Sequence, residues 1–132
     1  MVDTLATLAR LRRVEMETAK RALADATLEL RAARDKVAAA EAAIGAEARI
    51  AASPAEFAAW LPRARQMIAA ARMEAVDAER RHQAARAAFV ESNAAEKSVE
   101  TLLEQRETKA RALQARRAEH ALSDLYRQPG AK

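Results

Sequence analysis

The sequence has no cysteine and few of the residues that interrupt helices. Without cysteine there can be no disulfide, thiol nucleophile or thiolate metal site. Only 2 glycines and 3 prolines occur in 132 residues, so long stretches can stay helical. No stretch without a charged residue exceeds six residues, which leaves no place for a signal-peptide core or a membrane span. We therefore expect a soluble cytoplasmic protein.

Aromatic residues are also scarce, at 3% of the chain, although 51% of the residues are hydrophobic. Alanine explains the difference, because 38 residues are Ala and only 12 are Leu. Alanine favours helices but fills a thick core poorly. With 32% charged residues, this composition is typical of a long helix or coiled coil and predicts an all-α protein.

The sequence contains no motif that we would expect of an enzyme. The only glycines are Gly45 and Gly130, too far apart for either glycine-rich phosphate loop. His82 and His120 lack the spacing of a zinc motif, and for His82 we favour a polar position within the helix interface. Carboxylate pairs are common, but a pair of helices offers no enclosed site for acid–base chemistry. We predict no catalytic residue, no cofactor and no metal.

Apolar residues recur every seven positions in the first part of the chain. One row consists of Val2, Ala9, Met16, Leu23, Leu30, Val37 and Ile44, and the other of Ala19, Ala26, Ala33 and Ala40, with Arg12 and Glu47 at its ends. Two apolar positions in each heptad are typical of a coiled coil. Because alanine barely protrudes, we expect the two helices to approach closely.

The second part of the chain repeats this pattern with more polar interruptions. One row consists of Leu61, Ile68, Ala75, His82, Phe89, Glu96, Leu103 and Ala110, and the other of Ala64, Ala71, Ala78, Ala85, Ser92, Val99, Arg106 and Leu113. The pattern is weakest near Ser92 and Glu96. Polar residues in such an interface cost stability but can fix register and partner choice.

A turn is expected between Gly45 and Pro62. Ser53 can cap a new helix, Pro54 suits its first position, and Glu56 completes the signature. Gly45 offers an earlier end for the first helix, and Pro62 would kink the second helix or mark its start.

These signals predict an antiparallel coiled-coil hairpin formed by one domain, 1–132. We expect helix 1 at about 3–50, a turn at about 51–55, helix 2 at about 56–127 and a short tail that includes Pro129-Gly130. The second helix should be the longer one, extending past the first by roughly 25 residues, or about 40 Å.

Three residues near the start of the second helix suggest a binding surface. Phe57 can belong to the helix interface, whereas Trp60 and Met67 lie one position away from it and seven residues apart. An uncovered Trp and Met would form a docking patch. Alternatively, the turn folds back and buries Trp60. The residues alone do not decide between the two.

Basic residues exceed acidic ones only toward the C-terminus, where residues 101–132 carry 7 Lys and Arg against 4 Asp and Glu. Basic clusters occur at 10–13, 80–81 and 116–117, but acids dilute each of them and no aromatic residues interleave for base stacking. We favour solvated surface over nucleic-acid contact, and so expect no nucleic acid among the partners.

The chain resembles the FliJ/YscO family, the stalk proteins of flagellar and type III protein export. The resemblance rests on Leu5-Ala6-Thr7-Leu8, the break near residue 53, the stretch from Phe57-x-x-Trp60-Leu61 to Ile68, and the charged stretch from Leu103-Glu104-Gln105-Arg106-Glu107 to Leu122-Ser123-Asp124-Leu125. Where the family commonly has a Leu-Asp motif, this chain has Ser123-Asp124.

The resemblance implies a non-enzymatic stalk that binds a hexameric export ATPase, the cytoplasmic domain of an export-gate membrane protein, and export chaperones. Such a protein is cytoplasmic and peripheral to the inner membrane through protein contacts. The gate-side residues would be Phe57, Trp60 and Met67. The residues facing the ATPase ring would be Arg106, Lys109, Arg111, Arg116, Arg117, Leu122, Leu125 and Tyr126.

Other functions fit the same helical pattern. A generic coiled-coil scaffold or holdase chaperone is the first alternative, and an architectural nucleic-acid-binding protein is the second. A subunit of a rotary ATPase proper fits less well, because such a stalk normally carries a globular domain between its two helices. Neither the choice between flagellar and virulence secretion nor the oligomeric state follows from the sequence.

Overall fold

The computed structural model describes residues 3–127, which contain two α-helices and, over that range, no strand. Helix α1 is Thr4–Ile50, with 47 residues, and helix α2 is Pro54–Arg127, with 74 residues. The helices pack against each other, which confirms the all-α class. Val2 and the predicted tail with Pro129-Gly130 lie outside the described residues.

Side-chain caps define where both helices begin. At α1, the Oδ1 atom of Asp3 accepts a hydrogen bond from the Ala6 amide at 3.3 Å. At α2, the Ser53 hydroxyl accepts one from the Glu56 amide at 3.2 Å, which confirms the predicted cap. Helix α2 therefore begins at Pro54, slightly before the expected start near residue 56, because the cap residue directly precedes the proline.

Neither Gly45 nor Pro62 ends or begins a helix. Helix α1 continues through Gly45 to Ile50, so this glycine, considered as an alternative earlier end, does not end the helix. Pro62 lies inside α2, so it does not mark the start of that helix. A proline inside a helix removes one backbone donor and costs about 3 kcal/mol. Ala64 and Ile68, two and six residues after Pro62, are nevertheless buried, so the helix keeps its packing beyond the proline.

Contacts divide the chain into two compact units. Unit 1 comprises the residues up to Val14 together with those from Asn93 onward, and unit 2 is Glu15–Ser92. Each unit contains part of α1 and part of α2.

The core of unit 2 follows the predicted heptads. Every predicted row member between Met16 and Ser92 is buried or half-buried. The buried apolar residues of this unit are Ala26, Leu30, Ala64, Ile68, Ala71 and Ala78. Four of these six are alanine, as expected for helices that approach closely. His82 and Ser92 are half-buried at row positions, which places them in the interface between the helices.

Ion pairs flank this core and join the two helices of unit 2. They are Glu29–Arg81 at 3.5 Å, Arg34–Glu79 at 2.8 Å, Lys36–Glu74 at 3.0 Å and Glu41–Arg72 at 2.8 Å. As the residue number rises along α1, the partner number falls along α2. All four pairs are solvent-exposed, so each contributes only about 0–1 kcal/mol, but together they favour one register.

The interface of unit 1 ends at Leu103. Val99 is buried, Glu96 is 8% exposed, and Leu103 is half-buried. Glu96 borders a small crevice that is also lined by Arg10 and Arg13, so cationic side chains lie near this buried carboxyl group.

The predicted rows do not continue past Leu103 as part of the interface. Arg106, Ala110 and Leu113 fit the rows but are exposed, and they lie in the stretch where the second helix was expected to extend past the first. The reason is that Asp3, the first described residue, already pairs with Arg106, and no described residue of α1 lies farther along to cover the next turns of α2.

Candidate docking surfaces

The C-terminal segment, defined as residues 104–127 of α2, is exposed to solvent along its whole length. Every residue in it is exposed, and Tyr126 reaches 89%. All eight residues that were predicted to face an ATPase ring lie in this segment and are accessible: Arg106, Lys109, Arg111, Arg116, Arg117, Leu122, Leu125 and Tyr126. The segment therefore offers about seven helical turns of exposed surface.

These eight residues do not share one face. Successive residues of an α-helix are rotated by roughly 100°, and this places five cations within about one third of the circumference. They form what we call the basic stripe: Arg106, Lys109, Arg116, Arg117 and Arg127. Leu113 and His120 lie on the same face, with Asp124 as its one carboxylate. Arg106, Leu113 and Arg117 on this face continue the heptad rows that pack against α1 up to Leu103, and Lys109 and Arg116 lie beside those rows.

The other predicted residues of the segment project from the far side of α2. Leu122, Leu125 and Tyr126 lie close together there and are exposed by 57%, 67% and 89%. Arg111 lies on this side too, and its Nη2 atom donates to the Glu107 carboxylate at 2.5 Å. The segment thus has a basic face and, on the far side of α2, an apolar cluster of Leu122, Leu125 and Tyr126 that lies among charged residues.

Asp3 binds the beginning of the basic stripe. Its carboxylate accepts two hydrogen bonds from the Arg106 guanidinium, at 3.0 and 2.6 Å. The hydrogen bond from Arg106, followed by that from the Ala6 amide, lowers the pKa of Asp3 to about 2, and Asp3 raises the pKa of Arg106. Arg106 is therefore already engaged within the molecule. The sequence interpretation did not include Asp3, although the expected overhang of roughly 25 residues would have placed the start of α1 near Arg106.

An open groove lies beside this ion pair in unit 1. Its volume is about 560 Å³, and its lining consists of Asp3, Thr4, Leu5, Thr7, Leu8, Leu11 and Arg106. Leu11 is 51% exposed. The groove was not predicted, because only the residues on the α1 row positions were considered there, and Leu8 and Leu11 lie beside those positions.

The predicted gate-side residues lie near the start of α2, in unit 2. The Phe57 and Trp60 rings are 6.0 Å apart between centroids with a tilt of 35°, and both side chains are half-buried. Met67 is 64% exposed, and Ile50, the last residue of α1, is 75% exposed. Trp60 is thus neither a fully buried plug nor a fully exposed docking residue. The indole lies beside the Phe57 ring and remains partly exposed to solvent.

Within residues 3–127, no group of three or more His, Asp or Glu side chains is arranged to hold a metal ion. Over the same range, neither helix has a stretch that is long and apolar enough to cross a membrane. Comparison with protein-family models, with curated proteins and with solved structures found no match.

Proposed function

We propose that this chain is a non-enzymatic helical stalk that works by binding other proteins, and specifically a stalk of the FliJ/YscO type in a flagellar or type III export apparatus. The observation that carries the proposal is the C-terminal segment, whose 104–127 helix is exposed throughout. Exposed leucines and a tyrosine on a single helix are typical of a surface that a partner covers. The resemblance of the sequence to the export stalks supplies the kind of partner.

The proposed architecture is an antiparallel coiled-coil hairpin with the longer helix second. The heptad rows support it, because their members between Met16 and Leu103 are protected from solvent. The ion pairs of unit 2 support it too, because their partner numbers run in opposite directions along the two helices. Such a hairpin would leave the C-terminal segment as a single helix that can enter a ring.

Each unit then has its own partner. The C-terminal segment, in unit 1, would bind the hexameric export ATPase. Phe57, Trp60 and Met67, in unit 2, would bind the cytoplasmic domain of the export-gate protein, and the chain would assist delivery by export chaperones. The protein would act in the cytoplasm, held at the inner-membrane export apparatus by protein contacts.

The test is to titrate the full chain into its cognate export ATPase and to measure hexamer formation by analytical ultracentrifugation together with ATP turnover. We expect both to increase. A double variant, Leu122→Asp with Leu125→Asp, should remove the effect without unfolding the chain, since both side chains are exposed. The matched control is Leu28→Asp with Val90→Asp, at positions of similar exposure in unit 2. No change in either measurement at saturating wild-type chain would refute the proposal.

A generic scaffold or holdase is the alternative that a specific observation favours. Large apolar side chains are exposed outside the proposed docking surfaces as well, including Leu28 at 61%, Met73 at 62% and Val90 at 59%. A holdase would suppress the aggregation of unrelated client proteins and would depend on these positions. A stalk would not suppress it at equimolar concentration. The same assay on the control variant above separates the two functions.

A further inference from the structure

We infer that unit 1 binds an acidic amphipathic helix of a partner protein, which lies along the basic stripe and places its apolar residues in the groove beside α1. Both surfaces belong to unit 1, and Arg106 is common to both, since it begins the stripe and lines the groove. The inference deepens the proposed function by naming the chemistry of the partner surface, and to that extent it rests on that function.

The charges of the C-terminal segment favour an acidic partner. The basic stripe has five cations and one carboxylate, whereas the remaining charged residues of the segment are Glu104, Glu107, Arg111 and Glu119. The segment thus separates its charges across the helix instead of mixing them. A surface with this imbalance favours a partner with clustered carboxylates, both in its rate of association and in its choice of partner.

The molecule itself shows how a carboxylate at the cap of a helix binds the beginning of this stripe. Asp3, at the start of α1, binds Arg106 through both carboxylate oxygens. In unit 1, α1 packs against α2 as far as Leu103, and beyond it the row positions of Arg106 and Leu113 are open, with Lys109 and Arg116 beside them. A partner helix that lies beside α1 and extends past its start along α2 would present carboxylates to Lys109, Arg116 and Arg117 in the same way.

The apolar groove favours a protein partner over nucleic acid. Leu5, Leu8 and Leu11 line the groove, and Leu113 interrupts the basic stripe at 49% exposure. A phosphate backbone would leave these leucines uncovered, whereas the apolar side of an amphipathic helix would bury them. Tyr126, the one aromatic residue of the segment, projects from the far side of α2, away from the stripe, so it cannot stack bases there.

Binding of synthetic peptides to the full-length chain tests this inference. The probe is a fluorescent peptide of about 20 residues with Leu at helical i, i+3 and i+4 spacing and Glu elsewhere on the exposed face. A peptide with the same pattern and Lys in place of Glu controls for charge. The chain is compared with Lys109→Glu/Arg116→Glu/Arg117→Glu. The matched control, Arg63→Glu/Arg65→Glu/Arg86→Glu, makes the same charge change at exposed positions of unit 2.

We expect the acidic peptide to bind, the stripe variant to lose at least about tenfold in affinity, and the control variant to remain within about twofold of wild type. A Leu11→Gln/Leu113→Gln variant should also weaken binding, because it removes leucines that the apolar side of the peptide would cover. Equal binding of the basic peptide, or equal losses in both charge variants, would overturn the inference. So would the absence of peptide binding, or stripe-dependent binding only to duplex DNA or to anionic lipid vesicles. The ATPase titration is a separate measurement, so either proposal can fail without the other.

Discussion

The Asp3 carboxylate and the Arg106 guanidinium form a two-point contact between residues that lie 103 positions apart in the sequence. It joins the start of α1 to the first turn of the C-terminal segment. Both side chains remain about half exposed, at 45% and 53%, so the contact fixes the register more than it stabilises the fold.

This contact predicts an acid-sensitive step in stability. Because the pKa of Asp3 falls from 3.8 to about 2 in the folded chain, its contribution is fully present above pH 3.8 and is lost as the pH falls toward 2. Urea unfolding across this range should show a steeper fall for wild type than for Asp3→Asn. Asparagine keeps the helix cap but cannot carry the charge. Asp124→Asn is the control at an exposed carboxylate, and an equally flattened profile for it would contradict the assignment.

The sequence was sufficient to predict the two helices and the rows of residues between them. The seven-residue spacing identified the protected positions from Met16 to Leu103, because a coiled coil needs one repeating side of each helix to be apolar. The rows alone do not show where they cease to be an interface, because Arg106 and Leu113 fit the pattern and are exposed. Folding the chain back at the turn supplied that limit, as the expected overhang of roughly 25 residues.

The docking surfaces were predicted only as a set of residues. The eight proposed ring-facing residues are all accessible, and helical rotation divides them between two sides of α2, although they were assigned as one set to one partner. The groove lined by Leu8 and Leu11 was missed for a different reason. It is formed together with Arg106, which is distant in sequence, so recognising it requires the register between the helices.

Gly45 is a position at which the helix can be strengthened. It lies inside α1, and a Cβ atom added there would have nothing within 4 Å. Gly45→Ala should therefore raise the free energy of unfolding by about 0.5–1 kcal/mol, because alanine loses less backbone entropy in a helix. Ala46→Gly, at the exposed neighbouring position, should lower it by a similar amount. Urea unfolding measures both changes. A loss of stability in Gly45→Ala would mean that α1 ends near this glycine.

Two leucines of α1 in unit 2 should differ strongly in their contribution to the free energy of unfolding. Leu30 is 6% exposed, whereas Leu28 is 61% exposed. Leu30→Ala should cost about 2–3 kcal/mol, since it leaves a space between the helices, and Leu28→Ala should cost less than about 0.5 kcal/mol. Thermal unfolding followed by circular dichroism compares the two. Equal costs would show that the heptad rows do not form the core in solution.

Trp60 is the only tryptophan of the chain, so its fluorescence reports on the start of α2 alone. The half-buried indole lies beside Phe57 at 6.0 Å, and Phe57→Ala should therefore expose it and shift its emission to longer wavelength. Met67→Ala is the control, because the Met67 side chain is 64% exposed and its loss should leave the emission nearly unchanged. Adding the gate-protein domain should shift the emission of wild type to shorter wavelength if Trp60 belongs to the docking surface. A fully solvated emission in the wild-type chain would instead show that the Phe57–Trp60 contact does not persist in solution.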